Sequence, residues 1–377
     1  MDNIAGRIHQ DSIIIGVDVH KYSHTAVALD CFGQEKGRFE FSNDSLGEYA
    51  NWLATLGKKD NLIVALEDVN GYGVHLVERL SLLGFSMRYV PAILTERDRK
   101  QSTSRDKSDY LDARRVGKVI LTKYEETLPA KESIANREEI GIATALDLLL
   151  CERRDLVRGK TCLKNQLHAL LHQYYGDHYQ DGFPKAFHKK ALAFYTKDLG
   201  KAPSTSGKNQ TKVLLAKSII RRIGRLTLIE DQIKIITKDL EKAGRDSPQV
   251  QTLASAIHGC GMVTACAIVS EVVTIKRFRN KAKFAKYAGV APTERSSGSK
   301  DRLYTNPFGN RTLNRAIHTI ALSQIAIKGD QRGKIYYQKK LSEGKTKLWA
   351  LRCLKRQLCN RIFQALKNTR GETNCLE

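Results

Sequence analysis

The sequence predicts an α/β domain, then long coiled-coil helices, then a mostly α-helical C-terminal domain. Strand-like and helix-like runs alternate over residues 12–95. Leucine and isoleucine recur at heptad spacing in two long segments. From about residue 250 onward the chain is again helical and strongly basic. These boundaries divide the chain into three predicted domains, 1–130, 131–248 and 249–377.

The first domain contains, in order, three strands, a helix, a strand, a helix and a strand. The predicted strands are SIIIGVDVH, HTAVALD, RFEFSN, NLIVALED and FSMRYVP, and the helices are SLGEYANWLATLG and GYGVHLVERLSLLG. NLIVALED is a continuous apolar run, which is typical of a strand buried on both faces. This order predicts one mixed sheet flanked by helices, with a further helix over 107–122.

Two long helices are predicted at 135–175 and 212–243. One row of the first helix carries an apolar residue every seven positions, and the second row is interrupted by Arg153 and Lys160. Such seams are typical of a coiled-coil hairpin or a dimerising coiled coil, and two core helices of a bundle are the alternative. The residues between them, 175–211, are predicted to form an exposed excursion.

The third domain has three recognisable segments. IHGCGMVTACAIVSEV predicts two helices joined by a glycine-rich turn, whose amides could meet a phosphate, although a plain helix hairpin fits equally well. YAGVAPTERSSGSKDRLYTNPFGN predicts a polar loop. LSEGKTKLWALRCLKRQLCNRIFQALKN predicts a basic amphipathic helix that contacts a nucleic-acid backbone or packs internally.

The charge balance favours a polyanionic partner. The chain has 63 Lys+Arg against 40 Asp+Glu, a net charge of +23, and such an excess attracts nucleic acid through counterion release. No apolar run reaches the roughly 18 residues that span a bilayer, and the N-terminus lacks a signal-peptide pattern. We therefore expect no membrane association.

The cysteines argue against two kinds of site. The chain has eight cysteines with no C-x-x-C pair, which disfavours a structural zinc site or a disulfide scaffold. A reducing cytoplasm fits this usage best.

The segment DKSDYLDARR concentrates negative charge in a basic chain. Asp106, Asp109 and Asp112 lie three residues apart, so a helix would bring them to one face. Like charges at that spacing destabilise an isolated helix by about 0.2–0.5 kcal/mol per pair. A bound divalent cation is one way to offset that cost.

Two further carboxylates end predicted strands. Asp18 follows IIIGV and Glu67 follows LIVAL, and open α/β sheets tend to place their sites at that edge. With Asp109 and Asp112 they would supply oxygen ligands for one or two Mg²⁺ ions, an arrangement that suits phosphodiester displacement. The alternative is that these residues cap helices or form ion pairs.

The order GVDVHK, ALEDVNGYG and KSDYLDAR resembles the DEDD transposases of bacterial insertion sequences, the one-ten family. IHGCGMVTACAIVSEV, RFRNKAKFAKYAGVAP, SSGS and GNRTLNRAI extend the resemblance to that family's C-terminal transposase domain. The resemblance implies an N-terminal RuvC-like domain of RNase H type and a second catalytic element, a serine. The implied tetrad is Asp18, Glu67, Asp109 and Asp112, and the implied serine is Ser297, with Ser296 and Ser299 as alternative registers. Asn70 and Pro307 depart from the family pattern.

The resemblance also implies a mechanism and partners. Ser297 would attack a DNA phosphate to give a phosphoserine link and a free 3′-hydroxyl, with Mg²⁺ held by the tetrad. A structured non-coding bridge RNA would pair with donor and target DNA, while lysine and arginine hold the backbones. A homo-oligomer, dimer or tetramer, would assemble through the long helices and act at the bacterial nucleoid in the cytoplasm.

Three other functions remain open at this point. Similar catalytic domains serve site-specific DNA invertases, which the sequence does not separate from transposases. A RuvC-like junction-resolving nuclease would need the acidic residues and water but no serine. A non-enzymatic nucleic-acid-binding protein would need neither.

Overall fold

The computed structural model describes residues 8–67, 71–101, 108–183, 185–201, 210–297, 300–304, 309–326 and 331–369. Asn70, Ser299 and Pro307 therefore lie outside the described residues. The strands are β1 Ile13–Val19, β2 Ser23–Leu29, β3 Glu35–Ser42, β4 Leu62–Leu66, β5 Ser86–Tyr89, β6 Leu128–Pro129, β7 Thr293–Ser297 and β8 Lys300–Tyr304. The helices are α1 Leu46–Leu56, α2 Val74–Leu82, α3 Ala92–Gln101, α4 Asp109–Lys123, α5 Lys131–Ile134, α6 Arg137–Tyr175, α7 Lys189–Leu199, α8 Gln210–Arg245, α9 Pro248–Ala256, α10 Met262–Val272, α11 Lys281–Tyr287, α12 Arg311–Ile325, α13 Gln331–Ser342 and α14 Lys347–Asn368.

The N-terminal strands form one mixed six-stranded sheet in the order β3-β2-β1-β4-β5-β6. β1 pairs with β4 and β4 with β5 in parallel, and the other neighbours are antiparallel. The predicted mixed α/β sheet is confirmed. The edge strand β6 and the helix α3 were not predicted, because a two-residue strand and a helix as polar as AILTERDRKQ give little apolar periodicity.

The two faces of the sheet are covered by different helices. Ile15, Val17 and Val64 pack in one apolar cluster with residues of α1 and α2. Ile14 and Ala65 point to the opposite face and pack with residues of α4. Because side chains alternate along a strand, Gly16 also faces α4.

Gly16 sets the distance between β1 and α4. A Cβ atom at this position would lie 2.1 Å from the Ala113 carbonyl oxygen and 2.4 Å from the Gly117 backbone nitrogen. Real Cβ atoms do not approach backbone atoms this closely, so only glycine permits the observed contact. The helix therefore rests directly on the strand backbone, with its N-terminus toward the end of β1 that carries Asp18.

Contacts divide the chain into two compact units. One comprises residues 1–143, 255–259 and 271–377, and the other comprises 144–254 and 260–270. The first unit thus combines the N-terminal sheet with most of the C-terminal helices. The three domains predicted from the sequence stay a prediction.

The second unit is built around α6 and α8. Arg153 Nε donates a hydrogen bond to Thr237 Oγ1 at 3.0 Å, and Lys160 Nζ lies 2.9 Å from Glu230 Oε1. The residue numbers of α6 rise along the contact while those of α8 fall, so the two helices are antiparallel. The two predicted helices are confirmed within a few residues at each end. A coiled coil is not confirmed, because polar pairs occupy the middle of the contact where a seam needs apolar side chains.

The segment predicted as an exposed excursion contains α7. Its Ala191 and Tyr195 are buried with Leu167 of α6 and Ile219 of α8. Leu192 and Leu199 belong to the same cluster. The excursion therefore covers one end of the helix pair, which the alternation of lysine and apolar residues in KKALAFYTKDL did not reveal.

The structure of the C-terminal region differs from the sequence-based prediction in two places. The predicted polar loop contains an antiparallel hairpin, in which β7 pairs with β8. The predicted C-terminal helix begins only at Lys347, because Gly344 has φ +82° and Thr346 caps the new helix by accepting a hydrogen bond from the Trp349 backbone nitrogen. Its predicted beginning, LSEGKT, instead ends α13 and forms the turn.

Within the first unit, α11 contacts the N-terminal region. Lys283 Nζ donates to the Glu125 carbonyl oxygen and lies 3.3 Å from Glu125 Oε2. Lys286 Nζ lies 3.3 Å from Glu126 Oε2, and Arg277 Nε, just before α11, donates to the Pro129 carbonyl oxygen at 3.4 Å.

In the described part of the chain, no helix combines the length and the apolar character that crossing a membrane requires.

Candidate active site

Two parallel strands bring the first two predicted carboxylates to one edge. β1 and β4 pair in a register that ends with Val17 opposite Leu66. The next residue of each strand is Asp18 and Glu67, and both have the same parity as the residues that face α4. Their side chains therefore start from neighbouring positions on the α4 face of the sheet.

The first turn of α4 supplies the other two predicted carboxylates, Asp109 and Asp112. The helix begins at Asp109, and the Ser108 side chain caps it by accepting a hydrogen bond from the Leu111 backbone nitrogen at 3.2 Å. Asp109 and Asp112 lie in that turn, where the helix dipole stabilises negative charge by about 0.3–1 kcal/mol each. This placement offsets part of the repulsion between the aspartates. Asp106 lies outside the described residues.

Among the residues that the structure describes, the closest group of three potential ligand residues comprises Asp18, His20 and Asp109, with one ligand atom of each within 4.8 Å of the others. His20 Nε2 lies 3.2 Å from Asp18 Oδ2 and 3.3 Å from Asp109 Oδ1. The turn between β1 and β2 holds His20, whose backbone nitrogen donates to the Ser23 carbonyl oxygen at 3.2 Å. The strand end and the helix start are thus joined through one imidazole.

The environment of Asp18 disfavours its charge. Burial raises the pKa of Asp18, His20 lowers it, and Asp112 and Asp109 raise it. The net pKa shift is upward. A carboxylate held in this state gains from any cation that replaces the lost water.

Glu67 is in the same situation. Burial raises its pKa most, a hydrogen bond with Thr95 lowers it, and the charges of Asp18 and Asp112 raise it. Arg99 of α3 has a smaller lowering effect. Asp18, Glu67 and Asp112 therefore lie close enough to repel one another electrostatically, although Glu67 and Asp112 do not belong to the closest group.

Asp112 has a partner on its own helix. Arg115 Nη1 lies 2.6 Å from Asp112 Oδ1, and the Arg115 side chain is only 9% exposed. A buried guanidinium at this distance orients the carboxylate and compensates its charge. Asp112 is thereby held beside Asp18 without joining the Asp18–His20–Asp109 group.

The predicted nucleophile belongs to the hairpin. Ser297 is the last residue of β7 and pairs with Lys300 of β8, and its side chain lies outside the described part of the structure. Its catalytic role therefore stays a prediction, as does the metal-binding role of the four acidic residues.

Two asparagines of GNRTLNRAI form hydrogen bonds at the base of the hairpin, where the chain enters at Gly289 and leaves at Gly309. Asn310 donates from its backbone nitrogen to the Tyr287 carbonyl oxygen at 2.7 Å and from Nδ2 to Glu271 Oε2 at 2.7 Å. Asn314 Nδ2 donates to the carbonyl oxygens of Ala288 and Gly289 at 2.9 and 3.0 Å. The two chain segments that flank the hairpin are thus tied to α12.

Glycine permits the closest contact at this base. A Cβ on Gly309 would lie 2.1 Å from the Gly289 Cα, so we expect Gly309→Ala to force the segments apart and to cost about 2 kcal/mol. Chemical denaturation measures the loss, and hydrogen exchange should locate it at the Asn310 amide. Gly224→Ala in α8 is the control, since its Cβ would meet nothing within 4 Å. Equal stability of the two variants would contradict the role assigned to this contact.

Sequence reasoning missed the residues that support the acidic groups. His20 follows Asp18 by two positions. Because side chains alternate along a strand, this spacing would have placed both side chains on one face. Arg115 could have been found as the i+3 partner of Asp112. Thr95 gives no such signal, because the sequence does not show that α3 lies beside β4.

The donor set fits a hard divalent metal ion. Asp18 and Asp109 meet at the end of β1 with Glu67 and Asp112 nearby, the pKa values of Asp18 and Glu67 are raised, and carboxylate oxygens are the ligands that Mg²⁺ prefers. No cysteine belongs to the group, which disfavours a structural zinc site. Asp18 and Asp109 are the first residues that would hold such an ion.

Comparison with known proteins identifies the family. Residues 15–176 match the family described as DEDD_Tnp_IS110, a transposase, and residues 251–338 match the family described as Transposase IS116/IS110/IS902. The chain belongs to the IS110 transposase family. Both regions of this IS110-family chain carry the motifs discussed above, and all four acidic residues lie within the first.

Individual relatives agree with this assignment. An uncharacterized 44.8 kDa protein of insertion element IS116 from Streptomyces clavuligerus is 22% identical over 96% of each chain. An uncharacterized 43.6 kDa protein of insertion element IS110 from Streptomyces coelicolor is 31% identical over 38% of this chain and 35% of its own. The transposase for insertion sequence element IS1111A from Coxiella burnetii is 26% identical over 58% of this chain and 54% of its own.

Proposed function

We propose that this IS110-family chain is a DNA transposase that cuts and rejoins strands at a site formed by Asp18, Glu67, Asp109 and Asp112. The observation that carries the proposal is the meeting of Asp18 and Asp109 at the end of β1, inside the region that matches the DEDD transposase family. The charge of Asp112 raises the pKa of Asp18, and the charges of Asp18 and Asp112 raise the pKa of Glu67. Burial and mutual repulsion disfavour the charged forms of Asp18 and Glu67, and a bound cation would offset both effects.

The acidic residues have separate tasks in this proposal. Asp18 and Asp109 would hold the divalent ion, Glu67 is oriented by Thr95, and Asp112 is oriented by Arg115. The bound ion would neutralise charge on the scissile phosphate and favour the ionised form of the nucleophile. The protein contributes the rigid support, because α4 sits on the backbone of β1 at Gly16.

Ser297 is the proposed nucleophile. Its hydroxyl gives up a proton, its Oγ forms a bond to the DNA phosphorus as the bond from phosphorus to the 3′ oxygen breaks, and the departing oxygen takes up a proton to become a 3′-hydroxyl. The phosphodiester energy is kept in the phosphoserine link and is available for rejoining. The hairpin base at Gly289 and Gly309 supports this role, because it fixes both ends of the segment that carries Ser297.

The partners follow from charge. A net charge of +23 suits a protein that holds several nucleic-acid backbones at once. We propose donor and target DNA, with a structured bridge RNA that supplies sequence recognition by base pairing. The reaction would take place at the nucleoid in the bacterial cytoplasm.

The long helices support a homo-oligomer. Leu148 of α6 is 68% exposed, and Leu228 and Ile235 of α8 are each 59% exposed. Apolar side chains left uncovered on a helix pair favour contact with another copy. A dimer or tetramer of this kind would let the sheet domain of one copy work with the hairpin of another.

Ser297→Ala should abolish covalent attachment to DNA. Purified protein is incubated with element-end DNA, Mg²⁺ and the RNA that co-purifies with it, and mass spectrometry searches for a nucleotide adduct on Ser297. We expect an adduct in the wild-type protein, none in Ser297→Ala, and at least about a hundredfold loss of strand joining. Ser296→Ala is the matched control and should keep both activities.

Other outcomes identify the alternatives. Strand cleavage that survives in Ser297→Ala would replace the proposal with a junction-resolving nuclease that uses water. Exchange restricted to inversion between two fixed sites would identify an invertase. DNA binding without cleavage, unchanged by Asp109→Asn, would leave a non-enzymatic binding protein.

A further inference from the structure

His20 is the one nitrogen donor in the Asp18–His20–Asp109 group, and it is not a member of the acidic tetrad. Its side chain is 48% exposed, beside Asp18 at 24% and Asp109 at 58%. It is thus reachable from solvent, while its Nε2 atom faces the two carboxylates. A half-exposed imidazole in this place is not needed for core packing.

His20 contacts two carboxylates on different elements, whereas an ordinary histidine–aspartate pair involves one. On the surface of the second unit, His172 Nε2 lies 2.6 Å from Asp177 Oδ1, which is a direct hydrogen bond. His20 Nε2 lies 3.2 Å from Asp18 Oδ2, with which it forms a hydrogen bond, and also 3.3 Å from Asp109 Oδ1 on a different element. Neighbouring ligands of an octahedral ion are separated by about 3.0 Å when each bond is about 2.1 Å. The observed distances match neighbouring ligand positions around one ion.

The supporting structure holds the imidazole in place. His20 follows Val19, the last residue of β1, and its backbone nitrogen is bonded to the Ser23 carbonyl oxygen at 3.2 Å. Asp109 is held by the capped start of α4, which Gly16 keeps against β1. All three donors therefore sit on short, well-fixed segments, as a metal site requires.

We propose that His20 is a nitrogen ligand of the divalent ion, and that it makes the site prefer a first-row transition cation such as Mn²⁺ to Mg²⁺. This inference rests on the proposed function, because it assumes an ion between Asp18 and Asp109. Mg²⁺ prefers oxygen donors, whereas transition cations accept imidazole nitrogen. A tetrad of carboxylates alone has no such preference for a nitrogen-accepting ion.

The test uses Mn²⁺ as the probe on the full-length protein. Pulsed electron paramagnetic resonance of the Mn²⁺-loaded protein should show coupling to a ¹⁴N nucleus, and that coupling should disappear in His20→Ala. Calorimetry should show Mn²⁺ binding weakened about tenfold in His20→Ala, with a smaller change for Mg²⁺. His172→Ala is the control, because it removes an exposed histidine that also contacts an aspartate, and it should retain the coupling. Thermal unfolding confirms that each variant is folded.

The outcomes separate this inference from the proposed function. Mn²⁺ binding that Asp18→Asn abolishes, without nitrogen coupling in the wild-type protein, would overturn the role of His20 and leave the carboxylate site intact. Coupling that persists in His20→Ala would overturn it as well. Mn²⁺ binding that Asp18→Asn leaves unchanged would instead remove the proposed metal site, and the inference with it.

Discussion

Gly16→Ala is expected to destabilise the protein by about 3 kcal/mol, near the upper end for an overpacked core. The new Cβ would lie 2.1 Å from the Ala113 carbonyl oxygen and 2.4 Å from the Gly117 nitrogen, and backbone atoms of a helix cannot rotate away as a side chain can. α4 must therefore move off β1 and carry Asp109 away from Asp18. Urea denaturation measures the loss of stability, and calorimetric titration with Mn²⁺ or Mg²⁺ should show that binding is lost.

Gly117→Ala is the matched control on the other side of the same contact. Its Cβ would meet Leu29 Cδ1 at 3.0 Å, which is the end of a flexible side chain. Alanine also favours a helix interior over glycine by about 0.5–1 kcal/mol, so the net change should be small. A Gly16→Ala protein as stable as Gly117→Ala would show that α4 does not rest on β1 in solution.

Asp18→Asn should have opposite effects on activity and on stability. Removing a carboxylate that is proposed to hold the ion should reduce DNA strand transfer at least about a hundredfold. The same change should stabilise the metal-free protein at pH 7 by about 1 kcal/mol, as is common when a functional site is relieved of strain. Thermal unfolding in EDTA measures the stability, and strand transfer in Mg²⁺ measures the activity.

The expected gain in stability of Asp18→Asn follows from the raised pKa of Asp18. Burial, Asp112 and Asp109 make the folded protein disfavour the carboxylate, so ionisation costs stability as the pH rises from the unfolded-state pKa through the folded-state pKa. The penalty is complete once the pH exceeds the raised folded-state pKa, and it vanishes below the unfolded-state pKa of about 3.9, where both states are protonated. The stabilisation by Asp18→Asn should therefore disappear at low pH, and Mg²⁺ should stabilise only the wild-type protein.

Asp231→Asn is the control for the charge change. Asp231 lies on the surface of α8, and a hydrogen bond from Lys234 lowers its pKa, so the same linkage predicts no gain at pH 7 from its replacement. A loss of stability in Asp18→Asn without metal would contradict the environment described for Asp18.

Much of the N-terminal fold could be predicted from the sequence, because its elements are locally encoded. The apolar runs ending at Asp18 and Glu67 were recognisable strands, and the sequence predicted that both acids lie at one edge of the sheet. The long helices were predicted within a few residues, although the coiled coil was not confirmed. The hairpin of β7 and β8 was missed, since TERSS and KDRLY carry no apolar alternation.

The support of the candidate site could not be predicted in the same way. His20, Thr95 and Arg115 are ordinary residues in the sequence, and their roles depend on which side chains lie beside them. The contact of Lys283 with Glu125 joins residues 158 positions apart. No local pattern reports such a pairing, because it arises only when the two parts of the first unit pack together.

The sequence by itself determined the strand ends, the presence of a helix that carries Asp109 and Asp112, and the type of residue at each, since these depend on alternation and charge over a few neighbours. Only the tertiary structure decided that α4 covers the face to which Asp18 and Glu67 point, and that His20 lies between Asp18 and Asp109. The physical reason is the direct contact of α4 with Gly16, a long-range packing event that glycine permits but does not by itself specify.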